Sequence, residues 1–139
     1  MAGESADPAE EPVWSRSDAT LRIFGRIPAL DAITATLGLS PTHTHRRGDR
    51  RRARFEPFPH DLWSYRAPVP EDRPLDVHIQ TLWSHLKPHR DFLIGLKGGL
   101  TVDVFCGFRT NALGGGFEVS PRALELFIEL EVPFAVSLL

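Results

Sequence analysis

The sequence predicts an α+β domain: a mostly antiparallel sheet of about five strands covered by three helices. Three observations carry that expectation. Apolar residues alternate with polar ones near positions 21, 63 and 102, the period of half-buried strands. Apolar positions three and four apart follow prolines at 28, 74 and 121, the pattern of helices that start on proline. The chain has 139 residues, enough for one core without disulfides or a structural metal.

Residues 1–17 read as a flexible acidic tail, and 18–139 as a single domain with a long Arg-rich loop at about 40–60. The tail carries Glu4, Asp7, Glu10 and Glu11, and too little apolar surface to offset the entropy of ordering. Val13 and Trp14 are its exceptions and could dock on the domain. A strand is expected at 20–25, where Leu21 and Ile23 flank Arg22. A helix follows at 28–37, with Leu30, Ile33 and Leu37 on one face and Gly38 as its stop.

Residues 40–60 hold three prolines and six arginines and read as an exposed loop, with room for a short extended piece. The next strand is expected at 62–67, with Trp63 and Tyr65 on one face. A helix at 74–86 is striped by Leu75, Ile79, Leu82 and Leu86, and Pro88 restarts it for a turn or two near 92–96. The clearest strand is 101–108, where Val102, Val104, Cys106 and Phe108 share a face. A glycine-rich turn at 111–116 suggests a hairpin back along 116–119. Ser120-Pro121 then caps a deeply packed helix to 130, and 132–139 forms the last strand. Strand–helix–strand units at both ends point to a ferredoxin-like or related plait.

Composition excludes more than it assigns. A formal charge of −2 gives no global pull toward nucleic acid or anionic lipid. Arginine supplies fourteen of the sixteen basic residues, which with abundant Ala, Pro and Gly is the coding bias of a GC-rich bacterial genome. The single cysteine, Cys106, excludes an internal disulfide framework and a Cys-rich zinc site. No secretory leader and no membrane-spanning run is apparent, so a cytoplasmic protein without membrane attachment is expected.

The order of short motifs resembles a family. These are LGLSPT at Leu37–Thr42, a Gly48-Asp49 turn, a strand led by Trp63, LKP at Leu86–Pro88 and FCGF at Phe105–Phe108. Over residues 19–139 this is similar to the bacterial family called domain of unknown function 4279. The resemblance implies a fold and a bacterial origin and carries over no catalytic residue. The ending FAVSLL is less polar than the family pattern.

The arginine stretch is the most unusual feature. Arg46, Arg47, Arg50, Arg51, Arg52 and Arg54 fall within nine residues, opposed by Asp49 and Glu56. A guanidinium fork matches phosphate or carboxylate, so this loop can contact anions or RNA. A merely solvated charged face is the more ordinary expectation for such a block. His43 and His45 flank Thr44 and could share a metal on a strand, with Asp49, His60 or Asp61 as third ligand. Exposed imidazoles are the blander alternative. His78, His85 and His89 lack the Glu of a zinc-protease helix and read as a polar helix face. Cys106 reads as a buried, inert thiol. Gly114–Gly116 lacks the Lys-Ser/Thr of a phosphate loop and reads as a turn. The start of the last helix, at Ser120, could hold an anion if exposed.

These readings lead to a non-catalytic binding or protein-interaction module, regulatory or toxin-neutralising, with no cofactor and no metal. Its binding residues are expected among Arg46, Arg47, Arg50, Arg51, Arg52, His43, His45 and Trp63, and its partner is a protein. One alternative is a binder of nucleic acid or a phosphate ligand through the Arg loop. Another is an enzyme with a His/Asp site gathered beside Trp63.

Overall fold

Five strands form one mixed, mostly antiparallel sheet, and every helix packs on the same face of it. The computed structural model describes residues 11–138. Most of the acidic-tail expectation, at residues 1–10, lies outside the described residues. The strands are β1 (Ser15–Gly25), β2 (His43–His45), β3 (Asp61–Arg66), β4 (Thr101–Thr110) and β5 (Val136–Leu138), in the order β2-β3-β1-β4-β5. Only β4 and β5 run parallel. The helices are α1 (Leu30–Leu37), α2 (Leu75–Leu86), α3 (Arg90–Leu96) and α4 (Pro121–Leu130), with a 3-10 turn at Lys87–His89 joining α2 to α3.

The central strand β1 pairs antiparallel with β3 on one side and β4 on the other. It starts at Ser15, five residues before the expected position 20. The inward positions Ser17, Ala19, Leu21 and Ile23 keep the period of two. Ser17 and Ala19 are small, so hydropathy hides them. The segment before β1 is also tied down. Trp14 donates its N–H to Asn111 Oδ1 at 2.8 Å, and Asn111 Nδ2 donates to the Pro12 carbonyl at 3.0 Å.

On the covered face, Leu21, Ile23, Trp63, Val102, Val104 and Cys106 meet Ile33, Ile79, Leu82, Leu93, Leu126 and Leu130 in one core. Truncating one such leucine to alanine costs about 2–5 kcal/mol. Gly38 and Ser120 act as the sequence signals imply, whereas α1 starts at Leu30, beyond Pro28, and Pro74 is the N-cap of α2 rather than its first residue. Gly38 closes α1 with φ 66° and donates to the Thr34 carbonyl at 2.8 Å. The Ser120 hydroxyl caps α4 by accepting from the Ala123 N–H at 3.2 Å. On α4, which the sequence reads as deeply packed, Ile128 is 71% exposed.

Two expectations change. Residues 116–119 form no strand, because β4 already has both edges filled, by β1 and by β5. The fifth strand is β2 instead, inside the segment read as loop. A plait joins two split strand–helix–strand units. Here β1 runs parallel to β2 across α1 with β3 between them, β3 runs parallel to β4 across α2 and α3 with β1 between them, and β5 adds a parallel edge beyond β4. No described helix is long and apolar enough to cross a membrane.

Candidate functional site

The helices leave the other face of the sheet open, and strand register decides what it displays. One row across it reads His43, Ser64, Arg22, Asp103; the next reads His45, Leu62, Phe24, Thr101. Arg22 and Asp103 make a fork of two hydrogen bonds, both 2.8 Å, and that bond raises the pKa of Arg22. The guanidinium also lies over Phe24 and Phe105, 5.8 and 5.4 Å from the ring centroids.

The arginine stretch leaves β2 and returns to β3 beside the second row. Its base is closed like a hairpin: Gly48 N–H donates to the Phe58 carbonyl at 2.9 Å, and Phe58 N–H to the Asp49 carbonyl at 2.7 Å. Gly48 takes φ 91°, a conformation open to glycine at little cost. Asp49 Oδ2 accepts the Arg46 N–H at 2.9 Å. Asp61 anchors the whole entry. Its Oδ1 accepts the Arg47 N–H at 2.7 Å and its Oδ2 accepts the Ile27 N–H at 2.9 Å. Those two amides, Arg47 first, hold its carboxyl below the usual carboxylate range. Arg46 completes the lock by donating to the Ile27 carbonyl at 2.8 Å.

Phe58 lies flat on His45, with centroids 3.6 Å apart and planes 4° from parallel. Burial, then the neighbouring His43, lowers the pKa of His45. This stacked pair divides two cavities. On one side a hollow of about 250 Å³ is floored by Phe24 and Leu62 and edged by His60. On the other a groove of about 630 Å³ runs along His43, Asp49, Arg50 and Arg51. A third, about 370 Å³, is lined by Arg26, Arg46 and Arg47.

Among the described residues, Arg47, Arg50, Arg51, Arg52 and Arg54 have no carboxylate at ion-pair distance. Arg50 donates only to the carbonyls of Ala53 and Phe55, both at 3.1 Å. Arg51 and Arg54 lie over the Phe55 ring. Among the described residues, nothing acidic neutralises their charge at ion-pair distance. Across the sheet, the Arg66 side chain reaches Glu71 at 2.7 Å and Asp18 at 3.3 Å.

A family described as "Domain of unknown function (DUF4279)" has a sequence model that matches residues 15–139. The chain belongs to the DUF4279 family. No curated protein and no solved structure matches it. In this DUF4279 protein the matched span begins with β1 and takes in both the open sheet face and the arginine loop.

The structure gathers some expected residues and separates others. His43 and His45 touch, Nε2 to Nδ1 at 3.2 Å, and share a groove with Arg50 and Arg51. Arg46 and Arg47 face the neighbouring groove. Arg52 is exposed farther along the loop. Trp63 does not join them. It points to the helices, is wholly buried, and donates its indole N–H to Thr34 Oγ1 at 3.0 Å. The ring beside the histidines is Phe58, not Trp63. Among the described residues, no three His, Cys, Asp or Glu side chains are arranged to hold a metal ion.

His78 is not on a polar face: it is wholly buried in α2, with Nε2 at 3.2 Å from the Arg73 carbonyl. Burial lowers its pKa. Cys106 is buried, and burial pushes its thiol up to about 12. The Ser120 helix start is already occupied, its N–H held by Asp76 Oδ1 at 2.6 Å. Sequence reasoning missed Phe24, Leu62 and the anchoring role of Asp61. The even positions of β1 and β3 carried a signal for Phe24 and Leu62, once the odd positions were assigned to the core.

Proposed function

We propose that this protein is a non-catalytic binding module that recognises an anionic partner through the arginine loop. One observation carries this reading: Arg50 and Arg51 border an open groove with no carboxylate at ion-pair distance, on a loop whose base is pinned by Asp61. A solvated charged stretch needs no such anchoring. Here two buried-end hydrogen bonds and a closed hairpin base hold the guanidinium groups at a defined edge of the sheet. An acidic face of a partner protein and a phosphate-bearing ligand both satisfy that edge. The protein partner fits a regulatory or neutralising role.

The test is a titration of the full chain with inorganic polyphosphate and with a Glu-rich peptide, at about 50 and about 200 mM salt. Affinity should fall steeply with salt, and replacing Arg50, Arg51 and Arg52 by Ala should weaken it about tenfold or more. Equal binding by the triple variant and the native chain would refute the reading.

A further inference from the structure

The arginine groove and the ring-lined hollow share a wall, the His45–Phe58 stack. A simple anion uses only one side of that wall. Carboxylates of an acidic peptide likewise leave the Phe24–Leu62 floor uncovered. A ligand with a flat ring joined to an anion by a short linker uses both sides. The hollow, about 250 Å³, suits a planar ring better than a large apolar body. Its apolar lining is the Phe24 and Phe58 rings with Leu62 and Pro59, beside Arg22 and Asp61, and aromatic rings stack on any flat heterocycle without reading its edges. His60, with its ring centroid 6.0 Å from that of Phe24, adds a polar rim.

We propose that this corner binds a nucleotide, with the base against Phe24, Phe58 and Leu62 and the phosphate on Arg50 and Arg51. The proposal rests on the anion-recognition reading of the loop and adds the base. The nucleotide is either free or one unit of a single strand. A duplex is disfavoured, because its bases are stacked on one another and offer no face to the ledge.

The experiment compares two probes of equal phosphate number on the full chain by fluorescence polarisation: a labelled single-stranded oligouridylate and base-free polyphosphate. The oligonucleotide should bind roughly tenfold more tightly, the gain expected from one stacked base. Phe58→Ala should abolish that gain and leave polyphosphate binding unchanged. Phe24→Ala, on a strand outside the loop, should do the same and guards against simple loss of the loop's shape. Competition by uridine monophosphate at similar concentration identifies a free nucleotide as ligand; failure to compete, with the base gain intact, identifies a single strand. Equal affinity for both probes overturns the base site and leaves the anion reading standing. Duplex binding as tight as single-strand binding, or a Glu-rich peptide binding more tightly than either probe, also overturns it. Binding of neither probe, nor of the Glu-rich peptide, removes both readings together.

Discussion

Arg66 and Arg50 belong to the same open face of the sheet, at opposite ends of β3, and meet opposite surroundings. Arg66 is held by Glu71 and Asp18, and Asp18 in turn accepts the Gly107 N–H at 3.0 Å. Its charge is spent within the molecule, tying the segment before α2 to β1 and β4. Among the described residues, Arg50 meets only carbonyl oxygens, which orient a guanidinium without neutralising it. The same residue type thus acts as a cross-link at one end and as an unspent charge at the other. What differs is whether register and loop geometry bring a carboxylate within reach.

The largest expected effect breaks the comparison at the loop. Replacing Arg50, Arg51 and Arg52 by Ala should lower polyanion affinity about tenfold or more and flatten its salt dependence, with the melting temperature unchanged. A titration at two salt concentrations checks this. Asp61→Ala sharpens it further, because two arguments give opposite signs. Charge alone says that removing an acid beside the arginines strengthens anion binding. The anchor says that binding weakens, since the Arg47 and Ile27 amides lose their acceptor. Weaker binding together with a lower melting temperature is the expected outcome.

The depressed Asp61 carboxyl also sets an acid limit. Its stabilising contribution is complete above the ordinary Asp value of about 3.9 and is lost as pH falls through the lower folded value. At the other end of the face, Arg66→Ala should leave polyanion affinity unchanged and lower the melting temperature by roughly 2 °C, as exposed pairs contribute little. Thermal denaturation beside the same titration separates the two ends. The smallest effect is on pH. Protonating His45 adds charge beside the groove, so affinity should rise about twofold as pH falls from 7 toward 5. Asp49 and Asp61 favour that proton, whereas burial and His43 oppose it. His45→Phe keeps a ring on Phe58 and should abolish the pH response.

Local pattern made much of the fold legible. Val102, Val104, Cys106 and Phe108 face inward as their alternation implies, because a strand covered on one face must be apolar at every second position. Gly38 and Ser120 end and begin helices for reasons confined to one turn of chain. β2 was illegible for the converse reason. His43, Thr44 and His45 have no strand pattern of their own and are extended because β3 offers a free edge. His78 is similar: only the packing of α2 against β1 decides that this imidazole is buried.

The candidate site divides along the same line. The arginine cluster, its local charge excess and the neighbouring histidines are properties of consecutive residues, and the chain alone declares them. That Phe58 stacks on His45, that Phe24 and Leu62 lie beside them, and that Trp63 faces away are outcomes of register between strands distant in sequence. Periodicity assigns residues to two faces. Only the closed core decides which face the helices cover, and therefore which side chains remain free to meet a partner.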